Sequence, residues 1–279
     1  MQTALPIDIH NHSEHSYDGH STVMEMCQAA LEKNIGVFSI TDHYDYEGPG
    51  QDLTQLNAAI KQSVADLTAA KEFFKGKMEV LTGVELGQPL DNQPEAEALQ
   101  AAYPFDFILA GLHNAPGRID LFDYDPKDES CDLDAELELY FRHTLDIISW
   151  GRFDSLAHLT YPFRYIIRLG MSDYPFGKWD DLLDAAVKAL VDKGLAIELN
   201  AGGFRPSLAN PNIPFYAIPD AKWIRRYREL GGERLTMGTD SHRPFHVGVG
   251  LENCMAIAKE AGFRDLCYFV DRQPRFVRF

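Results

Sequence analysis

The stretch IDIHNHSEHSYDGHS, residues 7–21, joins a short apolar segment to a run of residue types that bind metals. It holds four of the ten histidines of the chain, with Asp18 between the last two. Successive side chains of a strand point to opposite faces, so His10 and His12 point to the same face. The stretch therefore predicts a strand that ends in a chelating pair.

Six further apolar runs resemble this first one, and each is short and precedes a longer amphipathic stretch. The seven runs are LPIDIH, GVFSIT, EVLTGVEL, FDFILAGL, FDSLAHL, LAIELNA and RLTMGT. The stretches between them have apolar residues at helical spacing, and Thr22 with Glu25 has the pattern of a capping box. Strands that alternate with helices predict a parallel sheet, and seven repeats without a linker predict a single domain over 1–279, an α/β barrel related to the (β/α)8 type.

The composition indicates a soluble enzyme with a small ligand. Hydrophobic residues make up 45% and charged residues 24%, values that are ordinary for a globular protein. The net charge of -16 argues against nucleic-acid binding, which needs a basic surface. The four cysteines form no CxxC pair, and neither a secretory signal nor an apolar run of membrane-spanning length is present. We therefore expect a cytoplasmic protein without nucleic-acid or membrane partners, and leave its oligomeric state open.

Metal-binding residue types follow the ends of the predicted strands rather than the helices. They are His10, His12, His43, Glu85, His113, His158, Asp240 and His242. The carboxyl ends of parallel barrel strands open on one face, so these side chains are expected to converge. A single catalytic zinc ion takes about three protein ligands, so this set predicts two or three divalent ions, with zinc, manganese or iron as the candidates.

The motifs resemble, in order and over nearly the whole chain, those of the PHP (polymerase and histidinol phosphatase) superfamily. They are IDIHNHSEHSYDG, SITDH, TGVEL, LAGLH, LAHL and GTDSH. The nearest resemblance is to the monofunctional histidinol-phosphate phosphatases. Two further segments, HLTYPFRY and ELNAGGFRPS, carry this second resemblance, and each contains one arginine.

The resemblance implies a distorted seven-stranded (β/α)7 TIM-like barrel with a trinuclear metal centre. The first ion would be bound by His10, His12, Glu85 and Asp240. Glu85 would bridge to a second ion, held also by His113 and His158. The third ion would be bound by Asp18, His43 and His242.

The resemblance also implies a reaction, the hydrolysis of L-histidinol phosphate to L-histidinol and phosphate in histidine biosynthesis. A hydroxide that bridges two ions would attack phosphorus in line. Arg164 and Arg205 would grip the phosphate, and with His43 and Asp18 they form the expected catalytic set. The proton donor to the leaving group is left open among three histidines, which are His15, His20 and His246.

Three other functions remain open from the sequence. The first is a phosphoesterase for another small ester, a nucleotide or a short oligonucleotide, although the net charge disfavours the oligonucleotide. The second is a metal-binding module without catalysis, which predicts missing ligands, whereas all nine positions are filled. The third is an amidohydrolase, but the chain has no clear strand-end lysine for carbamylation.

Several residues near the predicted site have less certain roles in the sequence. The long acidic loop 114–133 is a candidate lid that sets substrate choice. Asp45 and Glu47 are expected in an exposed acidic loop, with the mouth of the pocket as the alternative, and Glu198 is either a site residue or a hydrogen-bonding residue inside the barrel. His143 is expected on a helix face.

Overall fold

The computed structural model describes residues 6–48, 50–115, 117–125, 131–205 and 221–279. Within these residues the strands are β1 (Ile7–Asp8), β2 (Val37–Ile40), β3 (His43–Asp45), β4 (Glu79–Gly87), β5 (Phe107–Gly111), β6 (Ser155–Leu156), β7 (Ala196–Asn200), β8 (Leu235–Gly238), β9 (Asp265–Val270) and β10 (Gln273–Arg278). The helices are α1 (Val23–Glu32), α2 (Thr54–Phe74), α3 (Gln93–Ala102), α4 (Leu133–Trp150), α5 (Tyr161–Arg168), α6 (Asp180–Lys193), α7 (Ala221–Glu229) and α8 (Leu251–Glu260).

Seven parallel strand positions form a nearly closed barrel in the order β1, β2, β4, β5, β6, β7, β8. β3 continues the path of β2 along β4 after a two-residue break. The residues after β1 meet those around β8, because the N–H of Ile9 donates to the carbonyl of Met237 at 3.0 Å and the N–H of Asp240 to that of His10 at 2.7 Å. All seven runs predicted as strands form strands, and the barrel is confirmed.

The helices begin and end where the local sequence predicts. The hydroxyl of Thr22 accepts a hydrogen bond from the N–H of Glu25, whose carboxylate accepts from the N–H of Thr22, so the predicted capping box starts α1. Gly151 and Gly194 end α4 and α6 with φ of 70° and 64°, a left-handed conformation that costs glycine little.

A hairpin of β9 and β10 covers the amino ends of the barrel strands. The loop between its strands is Asp271–Arg272, and both residues have positive φ, as a type I′ turn requires. Phe269 of β9 stacks on Phe107 at the start of β5, with ring centroids 5.6 Å apart. The C-terminal tail therefore covers barrel surface at this end. No helix within the described ranges is long and apolar enough to cross a membrane.

Candidate metal centre

The carboxylate of Glu85, fully buried in β4, lies between two sets of imidazoles. Its Oε2 is 3.1 Å from Nε2 of His10 and 3.3 Å from Nδ1 of His43. Its Oε1 is 3.0 Å from Nε2 of His158 and 3.5 Å from Nε2 of His113. Each carboxylate oxygen therefore faces a different pair of ring nitrogens, which is the arrangement of a carboxylate that bridges two ions.

Two further carboxylates complete the cluster. Oδ1 of Asp240 is 3.3 Å from Nε2 of His12, whose ring stacks on those of His43 and His242. Oδ2 of Asp18 is 2.8 Å from Nε2 of His242, and its Oδ1 is 3.7 Å from Nε2 of His43. The structure thus brings all nine predicted metal ligands together at the carboxyl ends of the strands.

The spacing of these atoms fits metal binding. Two ligand atoms bound at about 2.0–2.2 Å to one tetrahedral zinc ion lie about 3.4 Å apart, close to the separations observed. Four groups of three side chains have ligand atoms within 4.8 Å of one another: His10, His12 and Asp240; His10, Glu85 and His158; His43, Glu85 and His113; and His12, His43 and His242. The combined set exceeds the needs of one ion, since a catalytic zinc takes about three protein ligands.

Hydrogen bonds at Nδ1 fix the orientation of four rings. The acceptors are Oε1 of Glu198 at 2.6 Å for His10, Oγ of Ser16 at 3.3 Å for His12, Oδ2 of Asp45 at 3.0 Å for His113, and the carbonyl of Asp240 at 2.9 Å for His242. A neutral ring that donates through Nδ1 keeps a lone pair on Nε2. The four Nε2 atoms all point to the centre, where they face other acceptors, so a cation is needed between them.

The centre also contains buried polar atoms that lack a hydrogen-bond partner among the described residues. They are Oδ1 of Asp18, Nδ1 of His43, Oδ1 of Asp45, Nδ1 of His158 and Nε2 of His242. Burial by itself would raise the pKa of Glu85, but positive charge on His10 and His43 outweighs it and holds that pKa well below its usual range. In a metal-bound centre the ions would supply this positive charge, and the imidazoles would be neutral ligands.

Two of the ligands have a strained backbone. His158 has φ of 24° and Asp240 has φ of 54°, a region that non-glycine residues rarely adopt. The N–H of His158 donates to Oε2 of Glu198 at 2.9 Å, which holds this conformation. Such strain costs on the order of 1–3 kcal/mol and is typical of functional sites.

Glycines leave the space into which the ligands pack. A Cβ on Gly238 of β8 would lie 2.2 Å from Cβ of His10, and a Cβ on Gly111 of β5 would lie 2.7 Å from Oε1 of Glu85. Both distances are shorter than any van der Waals contact. Neither position can therefore take a side chain without displacing a ligand.

Asp42, directly before β3, organises the loop that follows the first strand. Its two oxygens accept hydrogen bonds from the N–H of Ser13 at 2.6 Å and from three hydroxyls, those of Ser13, Ser16 and Ser63. Oγ of Ser16 in turn accepts from Nδ1 of His12. Asp42 thereby places one metal ligand through an intervening serine.

Two arginines lie beside the metal ligands. Arg164 in α5 has a side chain that is 10% exposed, and its guanidinium donates to Asn200 at 3.2 Å and to Asp240 at 3.5 Å. A Cβ on Gly202 would lie 2.8 Å from a guanidinium nitrogen of Arg205 and 3.4 Å from one of Arg164. The missing side chain of Gly202 thus lets two positive groups approach the same place.

The centre opens into a cavity of about 700 Å³, and its lining separates the three histidines considered as proton donors. His246 lines this cavity. His15 instead lies 2.8 Å from a carboxylate oxygen of Asp66, and His20 is exposed on the surface. Burial and the charge of Arg205 lower the pKa of His246 to about 4, so its ring is neutral at neutral pH.

Three further residues contact the centre, and the sequence had assigned them a different role, two alternative roles or no role. The prediction that Asp45 is exposed is wrong: it is 8% exposed and contacts His43 and His113, because β3 carries it into the barrel mouth. Glu198 is the hydrogen-bonding residue of the two alternatives. Tyr161, which the sequence analysis passed over, packs against His113 with ring centroids 5.3 Å apart.

Two predictions concern residues at the edge of the centre, His143 and loop 114–133. His143 lies in α4, as predicted, 3.3 Å from a carboxylate oxygen of Asp91 and apart from the metal ligands. The described part of loop 114–133 forms one wall of the cavity. Its closure as a lid stays a prediction, and residues 116 and 126–130 of it lie outside the described residues.

Comparison with protein families matches this arrangement. The PHP domain family model matches residues 8–202, which include seven of the nine clustered ligands. The chain belongs to the PHP domain family. The expected family is thereby confirmed, and the remaining two ligands, Asp240 and His242, follow the matched region.

Several similar proteins have names that refer to histidinol phosphatase. A Thermotoga maritima protein named "Probable histidinol-phosphatase" is 30% identical over 93% of this chain and 94% of its own length. A Lactococcus lactis protein named "Histidinol-phosphatase" is 27% identical, over 98% of both chains. The fold also matches a crystal structure of the Lactococcus lactis histidinol phosphate phosphatase in complex with Zn, L-histidinol and phosphate, with a TM-score of 0.78, 24% identity and coverage of 97% of this chain and 98% of that one.

Proposed function

We propose that this protein is a metal-dependent phosphatase that hydrolyses L-histidinol phosphate to L-histidinol and phosphate, the step that releases the amino alcohol in histidine biosynthesis. One observation carries the proposal: a bridging carboxylate, six imidazoles and two arginines meet at a single cavity. The names of its full-length relatives support the same substrate.

The metal site would be built from the nine clustered side chains. Nitrogen and carboxylate donors suit zinc, manganese and iron, and the four overlapping groups suit two to three ions. Divalent ions at such a centre lower the pKa of bound water and neutralise charge on phosphoryl oxygens. Glu85, Asp18 and Asp240 supply the negative charge that holds the ions in place.

The arginines would bind the phosphate. Guanidinium groups offer planar pairs of donors that match phosphoryl oxygens. Arg164 and Arg205 both line the cavity, so their guanidinium groups are available to an anion there. Together they would hold the ester and stabilise the charge that develops as the phosphorus–oxygen bond breaks. His246 lines the cavity, but its ring is neutral at neutral pH, so it would act on the departing alkoxide as a hydrogen-bond donor rather than as a general acid.

The test is phosphate release by the purified, metal-analysed protein from L-histidinol phosphate, sugar phosphates, nucleotides and p-nitrophenyl phosphate. We expect the highest kcat/KM for L-histidinol phosphate. His113→Gln should abolish most activity and reduce metal content, whereas His143→Gln, a matched change outside the centre, should alter neither. Activity on the aryl ester alone would keep the phosphatase chemistry and reject the substrate. No activity with the metals fully loaded would favour a metal-binding module.

A further inference from the structure

The cavity beside the metal ligands is lined by groups of both charges. The cations are Arg164, Arg168 and Arg205, and the carboxylates include Glu47, Asp120 and Asp123. Arg164 and Arg205 also approach each other at Gly202, beside Asp240. A ligand that fills the cavity therefore meets both guanidinium groups and carboxylates.

Asp120 differs from the other buried carboxylates of this cavity. Asp18 and Asp45 each contact histidines of the centre, whereas half-buried Asp120 forms no ion pair with a described residue. Its carboxylate accepts hydrogen bonds from the N–H of Phe122 at 2.8 Å and from the hydroxyl of Tyr161 at 3.0 Å. Burial raises the pKa of Asp120, although the N–H of Phe122, the charge of His113 and the hydroxyl of Tyr161 oppose it in part. A carboxylate has about four acceptor positions, so these two donors leave room for a third.

Tyr161 fixes Asp120 relative to the reacting centre. The Tyr161 ring packs on His158 with centroids 5.0 Å apart, and the guanidinium carbon of Arg164 lies 5.5 Å from the same ring. One buried aromatic ring thus contacts a metal ligand, an arginine and the carboxylate of Asp120. The distance between the proposed phosphate-binding group and this carboxylate is held rigidly.

We infer that Asp120 is a specificity-determining residue that binds the cationic amino group of the substrate. The inference rests on the proposed function, because the arginines set the position of the phosphate. An ammonium group would donate to the free acceptor positions of Asp120. A phosphate ester without a cation would cover the carboxylate, remove its water and return no hydrogen bond, which disfavours binding.

The test uses Asp120→Asn, which removes the charge while its amide oxygen still accepts from Tyr161. We expect kcat/KM for L-histidinol phosphate to fall about 10- to 100-fold, the loss typical of a hydrogen bond to a charged group. Inhibition by the product L-histidinol should weaken by a similar factor. Activity on p-nitrophenyl phosphate should stay within about threefold, as expected for a surface-like change. Asp146→Asn, on an exposed position of α4 that is not part of the cavity lining, is the matched control and should change neither activity.

Equal losses on both esters would overturn the inference, because they would show that Asp120 only supports Tyr161. Failure of the proposed substrate would be seen separately, in the wild-type protein. In that case the inference is tested with 2-aminoethyl phosphate and ethyl phosphate, two esters that differ by the amino group. The inference requires Asp120→Asn to lower the ratio of their kcat/KM values, and an unchanged ratio would reject it.

Discussion

At the carboxyl end of the barrel, Glu85 is surrounded by ring nitrogens and has no Lys or Arg partner in the part of the chain that the structure describes, whereas at the amino end Asp106 and Asp154 each lie against one. Asp106 accepts from Lys71 and from the N–H of Thr82 at 2.9 Å. A carboxylate is buried at both ends. The difference lies in whether the fold itself supplies the positive charge.

The amino end obtains its second cation from the β9–β10 hairpin. Arg272, in the type I′ turn, donates to Asp154, which also accepts from the N–H of Ile108 at 2.8 Å. Burial raises the pKa of Asp154 to about 6, against the opposing charge of Arg272. The N–H of Asp271 donates to Asp106 at 3.1 Å, so one turn contacts both carboxylates. The carboxylates at the amino end are paired with cations of the protein itself, whereas Glu85 at the carboxyl end requires a bound cation.

The largest effect should follow from removing the bridging carboxylate with Glu85→Gln. We expect kcat/KM to fall by more than the roughly 10- to 100-fold loss typical of residues that only orient metal ligands. Metal content should fall, and a chelator should lower the Tm of the wild-type protein more than that of the variant. Glu79→Gln, on the exposed first residue of the same strand, is the control. Full activity of Glu85→Gln would contradict the assignment of the centre.

Glu198→Gln should have a smaller effect, because Glu198 orients ligands rather than facing the centre. It accepts from Nδ1 of His10 and from the N–H of His158, and an amide cannot accept through both of its atoms. We expect roughly a 10- to 100-fold loss of metal affinity, measured by titration of the metal-free protein. Excess metal should restore part of the activity. A loss that excess metal leaves unchanged would show a different role for Glu198.

Arg272→Met should affect stability alone. Removing the cation should lower the free energy of unfolding by about 1–3 kcal/mol, as for a buried charged group that loses its partner. Urea unfolding measures this change, and Arg275→Met on the exposed part of the hairpin is the control. The folded-state pKa of Asp154 lies above its unfolded value, so at low pH the native state holds this carboxyl group protonated and without charge. Arg272 has a charged partner only as the pH rises. The loss of stability caused by Arg272→Met should therefore grow as the pH rises from about 5 to 8. A change in kcat would contradict the division between the two ends.

Much of the carboxyl end could be predicted from the sequence because every predicted ligand except Asp18 lies at the end of an apolar run or within three residues of it. Strand ends at one face of a barrel converge whatever their loops do, so His10, Glu85 and Asp240 could be placed together without a structure. The motifs LAGLH and GTDSH each contain a glycine for a structural reason, since Gly111 and Gly238 leave room for the ligands.

The residues that sequence reasoning missed act through contacts that have no local pattern. Asp45 resembles an acid of a surface loop until β3 pairs with β4 and buries it. Tyr161 is the first residue of a short helix, and its hydroxyl donates a hydrogen bond to Asp120, which belongs to a distant loop. Arg272 meets Asp154 across the whole barrel base, a pairing that neither segment predicts alone.

The hydrogen bonds that join the residues after β1 to those around β8 determine when the centre can form. His10 and His12 leave the ribosome first among the clustered ligands, and Asp240 and His242 leave last. The two groups of ligands that contain Asp240 or His242 can therefore be completed only after β8, when nearly the whole chain has been synthesised. A chain that stalls before β8 carries a chelating pair without its closing carboxylate.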